Sequence, residues 1–108
     1  MDAITIDDAA KYVSVLSFHA ESEHLQQISH EVQRTVERRA PKKDGFIGCI
    51  VMRNAEAKRL LVMSAWENQD AWSKAQYDQE IGRAVADAVE KAKSYEIEIY
   101  ETVTVVRG

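Results

Sequence analysis

The sequence predicts an α+β fold: a four-stranded antiparallel sheet with both of its helices on one face. Three observations predict it. Segments of strand character and of helical period follow one another in the order strand, helix, strand, strand, helix, strand. The runs "GFIGCIVMRN" and "KRLLVMSAWE" stand either side of "AEA", the mark of an antiparallel hairpin. Near the C-terminus, "YEIEIYETVTVV" alternates apolar and polar residues, the period of a strand with one wet face.

Each element has its own local cause. Residues 11–19, "KYVSVLSFH", are rich in β-branched and aromatic residues over a strand-sized length, which makes them the first strand. A helix begins near Ser22. Leu25, Ile28, Val32, Val36 and Ala40 then recur at spacings of three and four, the stripe of an amphipathic helix, and Pro41 ends it. Residues 42–45 form a loop, where Gly45 suits a turn and Gly48 a bulge in the strand that follows. In the hairpin, Asn54 sits at the turn and both runs are apolar at odd and even positions. Leu60 and Val62 point one way while Leu61 and Met63 point the other, so this part of the sheet is covered on both faces.

Asn68 is an N-cap and Asp70 follows in the first turn, where a negative charge complements the helix dipole. From there Trp72, Ala75, Ile81, Val85, Ala88, Val89 and Ala92 trace a second helical region. Gly82 interrupts it. Since Gly weakens a helix interior by roughly 1 kcal/mol, a bend between a short and a longer helix is expected there. In the last strand Tyr95, Ile97, Ile99, Val103 and Val105 share one face. The order is the split βαβ, or ferredoxin-like, βαββαβ plan. Two helices cover one face of such a sheet, so the doubly apolar hairpin needs a second cover. A second copy of the sheet supplies it most cheaply, and a face-to-face homodimer is expected.

Composition narrows the partners. The 108 residues make one domain, with residues 1–10 as an N-terminal extension. Eighteen acids against fourteen bases give a net charge of −4, with no basic stripe, which argues against nucleic acid. The short "RRAPKK" cluster reads as a solvated helix C-terminus. No apolar run approaches membrane-spanning length, the N-terminus is acidic where a signal peptide is basic, and the single Cys49 lies in an apolar run as a small hydrophobe. A soluble protein of a reducing cytoplasm is expected.

The residues able to carry chemistry are few. Trp66 and Trp72, six apart across a strand-to-helix junction, suit the walls of a site for a flat aromatic molecule. Equally, Trp66 fits as sheet core and Trp72 as a pin between helix and sheet. Val62 and Met63 stand beside them as candidate lining. Arg83 and Tyr77 are candidates to orient a phenolate or carbonyl oxygen, or else plain helix-surface residues. His19 ends the first strand and is a candidate base, or an exposed strand-end histidine. His24 and His30 share no helix face, "HEVQR" lacks the second histidine of a zinc HExxH motif, and neither P-loop nor dinucleotide fingerprint is present. Nothing in the sequence calls for a cofactor or a metal.

Two motifs carry a resemblance. "DGFIGCIVMR" is similar to the Pro-Gly-Phe-x-Gly start of the second strand in the antibiotic biosynthesis monooxygenase family of the dimeric α+β barrel superfamily, with Asp44 in place of Pro. "SAWENQDAW" is similar to that family's Trp-Glu-Ser-x-Glu-Ala-Phe/Trp junction, and the likeness extends from Tyr12 to Val106. The family includes quinol monooxygenases, haem-degrading enzymes, isomerase-like members and members without known activity. Against the haem-degrading members, the resemblance places Ala84 near the iron-ligating histidine and Ala75 near the catalytic tryptophan, which implies no haem chemistry. Against the quinol-oxidising members, it maps Trp66 onto the junction tryptophan, Trp72 onto a following ring residue and Arg83 onto a helix arginine, while Val62 stands where an asparagine is expected. The resemblance therefore implies a cofactor-independent monooxygenase that oxidises an aromatic or quinol-type substrate with O2. The alternative is a non-catalytic dimeric barrel that binds a small apolar ligand.

Overall fold

The computed structural model describes residues 12–106 and 108, so the N-terminal extension lies outside the described residues. The elements are β1 (Tyr12–His19), α1 (Ser22–Arg39), a 3-10 turn (Ala40–Lys42), β2 (Phe46–Asn54), β3 (Arg59–Trp66), α2 (Gln69–Ala75), α3 (Gln79–Lys91) and β4 (Ser94–Tyr100). The strands form one antiparallel sheet in the order β2-β3-β1-β4. This is the predicted α+β plan, with the second helical region divided in two.

The register of β1 on β3 sorts the side chains. Phe18 opposes Leu60, Leu16 opposes Val62 and Ser14 opposes Ser64, and residues directly opposite each other lie on the same face. From that face Phe18, Leu60 and Val62 pack with Leu25, Ile28 and Val32 of α1 and Ala88 of α3. Phe18, Ile28 and Leu60 are fully buried, and burial of a side chain of that size is worth roughly 1.5–3 kcal/mol. The other parity forms a smaller cluster, in which Val13 and Ala65 pack with Val15, Ile47 and Met63. The hairpin is thus apolar on both faces, as the sequence predicts. Among the described residues, strand side chains alone make up the second cluster.

Turn chemistry sets the junctions. Asn54 Oδ1 accepts from the Ala57 N–H at 2.9 Å and closes the hairpin turn, in which Lys58 takes a left-handed φ of 56°. Asn68 caps α2 by accepting from the Ala71 N–H at 2.9 Å. The break in the second helical region falls at 76–78 and not at Gly82. Asp78 decides this: its Oδ1 caps α3 by accepting from the N–H groups of Glu80 (2.9 Å) and Ile81 (3.1 Å), and Gly82 already lies inside α3, donating to Asp78 O at 2.9 Å. A cap that satisfies two orphan donors outweighs the modest cost of a glycine within the helix.

The last strand also departs from expectation. β4 stops at Tyr100, opposite Val13, and the alternating segment beyond it is not strand among the described residues. Tyr95, Ile97 and Ile99 do turn to the helix side, yet they stay 48%, 51% and 42% exposed. The helices do not reach across the edge strand, so both of its faces are wet.

One ionic cluster fastens the helices. Asp78 Oδ2 accepts from Arg39 Nε (3.1 Å) and Nη2 (2.7 Å) and also meets Lys43 Nζ, while Arg38 pairs with Glu80 at 2.8 Å. The Arg39 guanidinium, then the Lys43 ammonium, hold the Asp78 carboxyl well below its ordinary value of 3.8. On the opposite end Glu21, bridging Lys93 and Lys58, is lowered to about 2. A carboxyl whose folded value is depressed stabilises the fold above its unfolded value and loses that contribution as the pH falls. We therefore expect Asp78→Ala to lower the thermal midpoint at pH 7, Asp78→Asn to lower it less, and the gap between wild type and Asp78→Ala to narrow below about pH 4. Melting curves by circular dichroism from pH 7 to pH 2.5 test this; a gap that stays constant across the range contradicts it.

Candidate functional site

Between the helices and the helix-side face of the sheet lies a half-open cavity of about 110 Å³, roughly ten times the space that one water needs. Its floor is the middle of β1 and β3: Ser14, Leu16, Val62, Ser64 and Trp66. Phe46 and Cys49 of β2 and Ile97 of β4 flank the floor, and Thr35 of α1 with Ala75, Ile81, Ala84 and Val85 of α2 and α3 form the roof. The space exists because the residues that meet at its centre are small. Alanine at 75 and 84 and serine at 14 and 64 leave unfilled the volume that larger side chains occupy further along the same strands and helices.

The two tryptophans take different positions in it. Trp66, only 4% exposed, donates its Nε1–H to Ser64 Oγ at 2.9 Å and meets Phe46 edge to face, with ring centroids 5.3 Å apart. Trp72 lines the cavity from α2 and leans on Tyr12 at 5.5 Å and 45°. The loop before β2 seats that helix. Gly45 adopts a φ of +79°, accepts from the Glu67 N–H at 2.8 Å, and has no room for a side chain, because an added Cβ falls 2.5 Å from Ala71 Cβ. Without a glycine there, α2 and its Trp72 shift outward.

Of the residues singled out from sequence, Trp66, Trp72 and Val62 line this cavity. The others do not meet them. Met63 has the opposite parity and faces the second apolar cluster, and His19, opposite Arg59 and Ser94, shares that parity at the far end of β1. Tyr77 is 84% exposed, in the link between α2 and α3, and Arg83 is exposed on the outer side of α3. Sequence reading passed over Ser14, Ser64 and Thr35. The signal was present: Ser14 interrupts the apolar parity Tyr12, Leu16, Phe18, and Thr35 stands three residues after Val32 on the packed side of α1.

Among the described residues no Asp, Glu, Lys, Arg or His lines the cavity. Cys49 is the one titratable group among the described lining residues, and burial pushes its thiol up to about 11, so the free thiol stays protonated at neutral pH. Ala75 and Ala84 both face the space, and no histidine stands among its described lining residues. Among the described residues no three His, Cys, Asp or Glu side chains converge as a metal site, and no helix is long and apolar enough to cross a membrane.

Comparison with known proteins agrees with this architecture. The family model for antibiotic biosynthesis monooxygenase matches residues 11–92. No curated protein matches in sequence. A Mycobacterium tuberculosis structure, Rv0793, superposes with a TM-score of 0.78 at 8% identity, covering 89% of this chain and 98% of its own. A Nitrosomonas europaea protein provisionally assigned as an antibiotic biosynthesis monooxygenase gives 0.77 at 9%, covering 87% and 91%. One from Deinococcus radiodurans, with the same provisional assignment, gives 0.67 at 20%, covering 89% and 96%. Likeness at such identity shows the fold.

The buried thiol supplies a check on the cavity. From an ordinary value of 9.0 to about 11 is two pH units, so the thiolate fraction of Cys49 at pH 8 falls by about 100-fold. Modification by a disulfide reagent in the native protein is expected to be at least about tenfold slower than in denaturant, since the higher nucleophilicity of the scarcer thiolate offsets part of that loss. Equal rates in the two states contradict the placement of Cys49.

Proposed function

The chain belongs to the antibiotic biosynthesis monooxygenase family, and from that premise we propose that it binds a small aromatic or quinol-type molecule in the cavity between sheet and helices and oxidises it with O2. The observation that carries this reading is the cavity itself, in which Trp66, Trp72 and Phe46 supply aromatic walls and Ser14, Ser64 and Thr35 supply hydroxyls. The substrate provides all the electrons. An activated ring methylene loses its two hydrogens, one oxygen atom of O2 becomes the carbonyl on that carbon, and the other leaves as water with those hydrogens. No external reductant is needed. Alanine at the position that resembles the haem ligand, and the lack of any dinucleotide motif, support a reaction without haem or flavin.

In this reading the protein's part is positioning. Indole and phenyl faces orient a planar ring, the hydroxyls donate to an oxygen as it gains negative charge, and the small dry volume strengthens each of those contacts. The stabilising role sketched for Arg83 and Tyr77 passes to these hydroxyls, because those residues and His19 are not among the described lining residues, and a neutral hydroxyl does not take the part of the base. A second reading has its own observation: the absence of an acid, base or cation among the described lining residues favours a protein that binds such a molecule without changing it. Oxygen uptake with a panel of anthrones and naphthoquinols, run beside quenching of tryptophan fluorescence, separates the two. We expect saturable quenching together with O2 consumption. Trp66→Phe should weaken binding by about 0.5–1.5 kcal/mol, the worth of an aromatic pair beyond its area. Saturable quenching without O2 consumption leaves only the binding reading.

We further propose that two copies associate through the sheet face away from the helices. Val13, Val15, Ala65, Ile47 and Met63 pack there, and Met52 beside them is 45% exposed. A partner on this face removes that apolar surface from water. Sedimentation at micromolar concentration should give a species of about twice the 12.2 kDa chain mass, and Met63→Glu, which cannot be buried uncompensated, should return it to one chain or unfold it. A wild-type protein that sediments only as a single chain rules the dimer out.

A further inference from the structure

We propose that Ser14, Ser64 and Thr35 form a neutral hydroxyl pole that selects ligands by one uncharged oxygen, so that the cavity accepts phenols, quinols and their keto forms and rejects aromatic carboxylates. This rests on the reading of the cavity as a binding site and names the chemical class that the site takes.

Two observations carry it. The first is a pair of unused groups. Ser14 and Thr35 are 7% and 6% exposed, both line the cavity, and neither side-chain hydroxyl has a hydrogen-bond partner among the described residues. Yet no buried side-chain oxygen or nitrogen among the described residues is sealed away without a partner. The two statements agree only if these oxygens open onto the cavity, where a ligand or water reaches them. A hydroxyl withdrawn this far from bulk water costs free energy until something bonds to it, and a ligand oxygen relieves that cost.

The second observation is the company the hydroxyls keep. Ser64 lies directly across from Ser14 on the same face and accepts the Trp66 Nε1–H at 2.9 Å, which leaves its own O–H to donate. The indole that walls the aromatic end is therefore tied to the polar end, and a ring lying on Trp66 carries its oxygen substituent toward Ser14 and Ser64. Thr35 faces the same space from α1. Each hydroxyl both donates and accepts, so the pole satisfies a phenol, a quinol or a ketone alike. With no Arg, Lys or His among the described lining residues, a carboxylate finds no counter-charge there and pays its desolvation uncompensated.

The test is a matched series on the purified protein at pH 7, read by saturable quenching of tryptophan emission: phenol, toluene and benzoate. Wild type should bind phenol about tenfold more tightly than toluene, the factor that one hydrogen bond contributes. Benzoate should bind at least about 100-fold more weakly than phenol. In Ser14→Ala and in Thr35→Val the preference for phenol over toluene should shrink toward unity while toluene binds as before. Thr35→Ser, which restores a hydroxyl, should restore the preference, and this guards against a variant that merely disturbs the helix. A preference that survives both Ser14→Ala and Thr35→Val overturns the pole, as does benzoate binding as tightly as phenol or a wild type that binds none of the three. Discrimination that depends on the hydroxyls without any O2 consumption supports the pole and removes the oxygenase reading. O2 consumption with discrimination indifferent to both variants does the reverse.

Discussion

The pairing of β1 with β3 is the constraint on which the rest of this molecule depends. Side chains on a strand alternate between faces, so a slip of one residue exchanges the two faces completely. In the observed register the serines at 14 and 64 come opposite each other, Leu16 meets Val62, and Phe18 meets Leu60. Core and site are thus laid down by one ladder. Its large end closes under α1, and its small end stays open under α2 and α3. Because both strands are central in the sheet, a slip also costs β1 its pairing with β4 and β3 its pairing with β2. The register is held from both sides.

Electrostatics serve this molecule at its corners and not at its centre. Asp78 ties the end of α1, the turn that follows and the start of α3 into one cluster, and Glu21 draws Lys58 of the hairpin turn and Lys93 before β4 to the start of α1. Both clusters lie where chain segments change direction. The described lining between them contains hydroxyls, one thiol, indoles and hydrocarbon, with the exposed Gln76 amide beside Trp72. Charges gathered at the rim fix the helices relative to the sheet while the cavity keeps a low dielectric, in which an ordinary hydroxyl is a stronger hydrogen-bond partner than it is in water.

Much of this was legible in the sequence, for identifiable reasons. Strand and helix periods separate cleanly where one face is packed, so β1, α1 and the hairpin fell within a residue or two of their predicted ends. The break between α2 and α3 was misplaced because Gly82 drew attention to a weakness, whereas Asp78, a cap with two cationic partners distant in sequence, exerts a positive demand. The burial of β4 departs from its alternation because a periodic pattern reports only what a strand is able to bury, while covering depends on how far the helices reach across the sheet. At the site, aromatic residues announce themselves by type, and Trp66 and Trp72 were found that way. Ser14 and Thr35 are ordinary residues made unusual by parity, and the cavity itself is made by what alanines leave out, a property of the gap between elements that no single segment contains.

The contact of Gly45 with Ala71 extends beyond the turn that requires it. A bare backbone meets a single methyl group, one residue from Trp72, where the loop before β2 touches the start of α2. The spacing of two helices and a sheet is there reduced to the size of one substituent. The pair behaves as a gauge block: a smaller residue at 71 lets the indole settle inward, a larger one lifts it, and the serine floor stays where the ladder put it. Residue 71 can therefore retune the depth of the cavity in single steps, from the helix that carries Trp72, without a change at any residue that lines it.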